Sequence, residues 1–266
     1  MQHPVKFLVS RLLMKSGLSK RIIIPRRNYS LRFYPSPYIA QIWINPDYSR
    51  EEEQFFIRYL KQGDTVIDVG ANIGLISFLS AHLVGERGKV FSIEANPRVY
   101  SYFKGNSELN RFSHVTCFNY AVSNGDGEVL FTDNNWDEIN AVVSSEKSSP
   151  TVTVPTKKLD DIVDISEPIN LLKIDVEGYE KFVLEGAERI LNLTQCVYFE
   201  SNKEHFKKYG YQCSEVFTIL RRHRFQLFKL NSQDTLAPIG MDYISEINEN
   251  LVAVKDIDAF TRRTGF

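Results

Sequence analysis

No apolar run in this chain approaches the roughly 18 to 20 residues of a membrane-spanning helix, which excludes that class. Cysteine is scarce. Cys117, Cys196 and Cys213 are odd in number and too few for a disulfide framework, so reduced thiols in a cytoplasmic, reducing compartment are expected. The histidines and cysteines show no zinc spacing. Net charge is nearly absent, with 32 Lys+Arg against 33 Asp+Glu over 266 residues. A chain so balanced has no global attraction to nucleic acid. Internal repeats and long low-complexity tracts are also missing. What remains is an ordinary globular composition. At this length a chain buries about three quarters of its unfolded surface and needs no metal or disulfide staple.

Acidic residues are absent from the first 46 positions, which hold eight Lys and Arg, so the net −1 divides into +8 there and −9 over the rest. Within this arm Val5, Leu8, Val9, Leu12 and Leu13 recur at helical spacing, with Lys6, Arg11 and Lys15 mostly off the stripe. The pattern predicts a short basic amphipathic helix. Such a helix suits an anionic surface such as the inner membrane face, the chain's own acidic body, or an oligomer contact. Basic residues interrupt every candidate signal-peptide core. Two units are expected: an arm over 1–44 and a domain over 45–266.

The domain reads as an α/β fold. A helix over 49–61 carries Glu51, Glu52 and Glu53 in its first turn, where the helix dipole favours acids. Strands are predicted over 65–69, 89–94, 115–122, 170–176, 195–200, 225–230 and 251–254, with helices between most of them. That alternation implies a mainly parallel sheet covered on both faces. Residues 123–167 break the rhythm with Asn124-Gly125-Asp126-Gly127 and alternating Thr151-Val152-Thr153-Val154. They predict a β-hairpin insertion after the third core strand, with a polar loop over 144–150.

The first strand runs into Asp68-Val69-Gly70-Ala71-Asn72-Ile73-Gly74. A glycine turn between strand and helix lets a ligand approach the backbone and the helix N-terminus. The dinucleotide pattern G-x-G-x-x-G fails, because Asn72 stands at its second glycine. The spacing D-x-G-x-x-x-G resembles motif I of class I S-adenosylmethionine-dependent methyltransferases, and a carboxylate at Asp68 suits a cationic ligand. Glu94 ends the second strand, where an acid takes ribose hydroxyls. Gly70, Ala71, Asn72, Gly74, Glu94, Ala95 and Ala121 complete the candidate cofactor set.

The fourth strand runs into Lys173-Ile174-Asp175-Val176-Glu177-Gly178-Tyr179-Glu180. In an extended chain Lys173, Asp175 and Glu177 share one side. Together with the glycine loop, Lys158-Leu159-Asp160-Asp161-Ile162 and Tyr198-Phe199-Glu200, this run resembles the FkbM-type methyltransferase family over about residues 45–255. The resemblance implies a Rossmann-like seven-stranded sheet with a reversed last strand. It also implies methyl transfer from S-adenosylmethionine, usually to a hydroxyl of a sugar or natural product. Such a transfer is an in-line displacement that needs orientation and a base. Asp175 is the first candidate for that work and Glu177 the second, with Lys173 beside them. A magnesium-assisted version would use Asp175, Glu200 and Asn202 as oxygen ligands. The expected partner is a small-molecule or glycan acceptor, lipid-linked if the arm lies on a membrane, and not nucleic acid. Competing readings are a nucleic-acid methyltransferase using the basic arm, a non-catalytic binding module of the same fold, and an NAD enzyme. The fourth-strand motif argues against the first, the retained acids against the second and Asn72 against the third.

Overall fold

The computed structural model describes residues 3–133, 141–143, 150–231 and 235–266. The 144–149 part of the predicted polar loop falls outside the described residues. The chain opens with α1 (Pro4–Ser16), the hairpin β1 (Ile23–Pro25) and β2 (Ser30–Arg32), then α2 (Pro37–Ile44) and α3 (Arg50–Tyr59). Alternation follows through β3 (Thr65–Val69), α4 (Leu75–Val84), β4 (Lys89–Ile93), α5 (Pro97–Asn110) and β5 (Val115–Phe118). The insertion holds β6 (Ala121–Val122), β7 (Gly127–Thr132), β8 (Val142–Val143) and β9 (Thr151–Lys157). After α6 (Leu159–Ile162) come β10 (Ile169–Ile174), α7 (Glu180–Glu185), α8 (Glu188–Leu193), β11 (Thr194–Ser201), α9 (Lys203–Lys208) and α10 (Cys213–Arg222). The chain closes with β12 (Gln226–Leu230), β13 (Leu236–Pro238), β14 (Glu249–Val254) and α11 (Ile257–Thr264).

The main sheet has the order β13-β12-β14-β11-β10-β3-β4-β5. Neighbours from β5 across to β11 are parallel, while β14 runs antiparallel to both β11 and β12. The reversed last strand is therefore present. The sheet described has eight strands rather than the seven expected, because β13 pairs antiparallel with the outer edge of β12. A three-residue strand ending in proline carries no periodic signal, and proline fits there because an edge needs no donor.

Side-chain alternation builds a core on each face. Val66 and Leu171 enter one cluster, and Ile67, Leu172 and Ile174 the other. The first cluster also holds Leu31, Phe33, Ile39 and Ile42, all essentially solvent-free. Residues 22–44, read from the sequence as part of an arm, thus share the main core. Two asparagines of α5 secure them. Asn106 accepts from Arg32 N–H at 2.8 Å, and Asn110 accepts from Ser30 N–H and donates to Ser30 C=O, both at 2.8 Å. Arg26 pairs with buried Glu53 and donates to Pro46 C=O, tying the hairpin to the start of α3. On α1, Leu13 and Met14 pack onto the core, whereas Val5, Leu8 and Leu12 are exposed. No helix among the described residues is long and apolar enough to cross a membrane.

The insertion is more than a hairpin. It forms a four-stranded sheet in the order β6-β9-β7-β8, with β6 parallel to β9. The strand expected over 115–122 divides into β5 and β6, since the chain changes sheets at Asn119-Tyr120. The single helix expected after Tyr179 is α7 and α8, broken at Gly186. A Cβ there would lie 2.0 Å from Ser123 C=O, so only glycine lets the helix corner meet the insertion.

Candidate active site

Strand β3 has β4 on one side and β10 on the other, so successive crossovers leave it in opposite directions. Ligands of open α/β sheets bind at the carboxyl ends beside such a switch point. A cleft of about 900 Å3 opens there. Gly70 (φ +81°) turns the chain out of β3, and a Cβ would lie 1.8 Å from Asp175 C=O. Its tight approach is to the end of β10, which fixes the loop against the neighbouring strand. Asn72 follows in the left-handed region (φ +50°). Asn72 N–H donates to Glu94 Oε2 at 2.9 Å and Asn96 N–H to Glu94 Oε1 at 2.8 Å. The Glu94 carboxylate is thereby immobilised at the end of β4. Gly70, Ala71, Asn72, Glu94, Ala95 and Ala121, the residues assigned to the cofactor from the motifs, all line the cleft.

Two expected cofactor residues do not line it. Asp68 is solvent-free beneath the loop, where Oδ2 accepts from Ser77 Oγ at 2.6 Å. Its register explains this: Asp68 stands directly across from Lys173 on the adjacent parallel strand, so their side chains share a face. Gly74 begins α4 in the left-handed region (φ +94°), and a Cβ would strike the Phe78 ring at 2.2 Å. Asp68 and Gly74 thus lie beneath the glycine loop rather than on the cleft surface.

Lys173 is the hub of the cleft floor. Its ammonium lies 3.3 Å from Asp68 Oδ1 and 3.4 Å from Asp175 Oδ2, and it donates to Gly70 C=O at 3.4 Å. Burial alone would lower its pKa, but Asp68, Asp175 and Glu52 outweigh that and hold it above its ordinary value. Asp175 is the solvent-facing partner, with 39% of its side chain exposed against 1% for Asp68. Burial raises the Asp175 carboxyl, and Lys173 opposes the rise.

Glu177 does not continue the Lys173–Asp175 face. The strand ends at Ile174, and Glu177 (φ +55°) and Gly178 (φ +98°) turn the chain away. Buried Glu180 braces the turn by accepting from Val176 N–H at 3.2 Å and Gly178 N–H at 3.4 Å. Burial and the surrounding carboxylates push Glu177 up to about 9, so it is a poor base at neutral pH. Glu177 stands instead beside Glu200 and His205. Asn202 Oδ1, one of the oxygens considered for magnesium, is engaged as the cap of α9, accepting from Glu204 and His205 N–H.

Sequence reasoning also passed over Glu52. Its carboxyl was legible only as a dipole-favoured acid, yet the first turn of α3 places it on the cleft wall. Burial pushes it up to about 7, against Lys173 and with Asp175, Asp68 and Glu53. Tyr38, Tyr48, Asn248 and Asn250 complete that outer wall. Two other aromatics of the N-terminal segment pack internally: Tyr34 stacks on Tyr102 and Trp43 packs against Phe33.

Among known proteins, the chain is 26% identical over 193 residues to hexuronic acid methyltransferase AglP of Haloferax volcanii, covering 71% of this chain and 78% of that one. The crystal structure of methyltransferase FkbM from Methylobacillus flagellatus KT superposes with TM-score 0.44 and 13% identity, covering 93% of this chain and 59% of the other. Aeropyrum pernix fibrillarin with natively bound S-adenosyl-L-methionine gives TM-score 0.43 and 12% identity, covering 77% and 74%. The family model of the methyltransferase FkbM domain matches residues 68–227, from the acid under the glycine loop to β12. The chain therefore belongs to the FkbM methyltransferase domain family, and it is a methyltransferase of the S-adenosylmethionine-dependent class.

Proposed function

We propose that this protein methylates a hydroxyl of a neutral sugar or similarly polyhydroxylated acceptor. The observation that carries this reading is the composition of the cleft beyond the glycine loop. Tyr38 and Tyr48 offer ring faces, and Glu52, Asp175, Asn248 and Asn250 offer acceptors and amide donors suited to hydroxyls. Seven carboxyl groups line the whole cleft (Asp47, Glu51, Glu52, Glu94, Asp175, Glu177 and Glu200), and even with Glu177 protonated and Glu52 partly so at neutral pH they outnumber the one lining lysine, Lys173. That field disfavours a phosphate backbone, which needs basic contacts. It equally disfavours a free uronate, so the acceptor differs in charge from the hexuronic acid named for the Haloferax volcanii relative.

The donor fits the inner half of the cleft. Gly70–Asn72, Glu94, Ala95 and Ala121 would hold it, with the fixed Glu94 carboxylate taking its ribose hydroxyls. When bound, the donor supplies an electrophilic methyl carbon. The chain's own residues do the rest. Asp175, anchored by Lys173, accepts a hydrogen bond from the acceptor hydroxyl and aims its oxygen. Glu52, poised near neutral pH, takes the hydroxyl proton as the new bond forms. The tyrosines hold the ring and displace water from it.

Calorimetry with S-adenosylhomocysteine tests the cofactor half. Wild type binds it, and Glu94→Ala weakens binding at least about 10-fold, the value of a lost hydrogen bond to a charged group. Absence of binding by folded wild type would overturn the reading. For the acceptor half, a panel of neutral and uronate sugars is scored for methyl ether formation by mass spectrometry. Asp175→Asn should raise the acceptor KM about 10- to 100-fold, as a charged hydrogen bond requires, while S-adenosylhomocysteine affinity stays within about threefold. An unchanged KM would remove Asp175 from the acceptor contact.

A further inference from the structure

The carboxylates and histidine at the outer end of the cleft have a geometry that methyl transfer does not explain. Glu177, Glu200 and His205 each present one ligand-type atom, and these atoms lie within 4.8 Å of one another. His205 Nδ1 is 3.5 Å from Glu177 Oε2 and 3.7 Å from Glu200 Oε2. Ligand atoms about 2.1 Å from one ion sit about 3.0–3.4 Å apart, so a shift of a few tenths of an ångström brings these two pairs to bonding positions.

We infer that Glu177, Glu200 and His205 form a binding site for one divalent first-row metal ion of the manganese type, with its remaining positions open to the cleft. Two carboxylates and one imidazole match neither an all-oxygen magnesium cage nor a thiolate zinc site.

A second observation points to a missing ligand. Glu200 Oε2 and His205 Nδ1 are both shielded from solvent, and neither has a hydrogen-bond partner. Buried polar atoms without partners are uncommon and costly. The fully buried Glu180 also has an unbonded Oε2. The framework around the three is firm. Asn248 donates to the other oxygen of Glu200. Asn202 caps the helix that carries His205. Gly178 presses against His205 so closely that a Cβ would lie 2.8 Å from its C=O, and Tyr211 Oη donates to Gly178 C=O at 2.6 Å. Held outer partners of this kind orient metal ligands. Given the methyltransferase reading, and only in this respect resting on it, the open positions would receive neighbouring hydroxyls of the acceptor.

The test is Mn2+ titration of full-length wild type, followed by electron paramagnetic resonance, alongside Glu200→Gln, His205→Gln and Asn248→Ala. Wild type should bind one Mn2+ with nitrogen modulation from an imidazole. Glu200→Gln should weaken binding at least about 10-fold and Asn248→Ala about 10-fold. His205→Gln should both weaken binding and abolish the nitrogen signal. Circular dichroism and S-adenosylhomocysteine affinity verify each variant's fold and its cofactor half. No saturable binding to wild type would overturn the metal site, as would affinities unchanged in both ligand variants. Retained S-adenosylhomocysteine binding in that event leaves the methyltransferase reading standing, and loss of both ligands removes both.

Discussion

Glu52→Gln should lower kcat by about 10²- to 10⁴-fold, the usual contribution of a positioned general base. The wild-type rate should rise as pH climbs through about 7 and level off above it, because Glu52 accepts a proton only once ionised. The glutamine variant keeps the size and loses the proton site, so its residual rate should show no such rise. The substitution should fold normally, since the contacts that fix α3 belong to its neighbours. Glu53 pairs with Arg26 and accepts from Ser49 Oγ at 2.7 Å. A rate within threefold of wild type, with the pH rise intact, would transfer the base role elsewhere.

Lys173→Met should cost about 3–5 kcal/mol of unfolding free energy, read from urea or guanidinium melts. Removing one member of a buried ion pair leaves its partner charged and uncompensated. Here that partner is Asp68, which has no exposure and whose Oδ1 has no hydrogen bond. Adding Asp68→Asn to the variant should recover part of the loss, because the stranded charge is gone, and the double-mutant cycle isolates the coupling. A single-variant cost below about 1 kcal/mol would mean that Asp68 is neutralised another way.

The strands of the main sheet were legible because buried parallel strands are short apolar runs, and the run Val66-Ile67-Asp68-Val69 stops at a glycine that its φ demands. The reversed last strand came only with the family resemblance. Edge strand β13 was illegible because a three-residue pairing is decided by what lies beside it. The cofactor loop was legible for the same local reason as the sheet, and Glu94 follows the end of β4 as expected, whereas Ala121 opens β6 of the insertion sheet rather than closing the third core strand. Asp68 shows the limit of that logic. A strand-end carboxylate reads the same whether it faces a ligand or a lysine, and only the register with Lys173 decides. Glu52 was missed as chemistry because its importance comes from Lys173 and Asp175, which are remote from it in sequence and meet it only in the fold. Asn202 caps α9, a role its sequence position did not separate from that of a ligand, because asparagine serves equally as either.

The α5 asparagines have one more effect. A two-stranded ribbon is marginal in water, and its outer strand normally offers unpaired N–H and C=O groups to any extended chain. On β2 the outward donors of Ser30 and Arg32, and the Ser30 carbonyl, are already satisfied by Asn110 and Asn106. A strand from another molecule finds that edge closed. The same carboxamides that fasten the ribbon to the core thus also guard it against edge-to-edge aggregation.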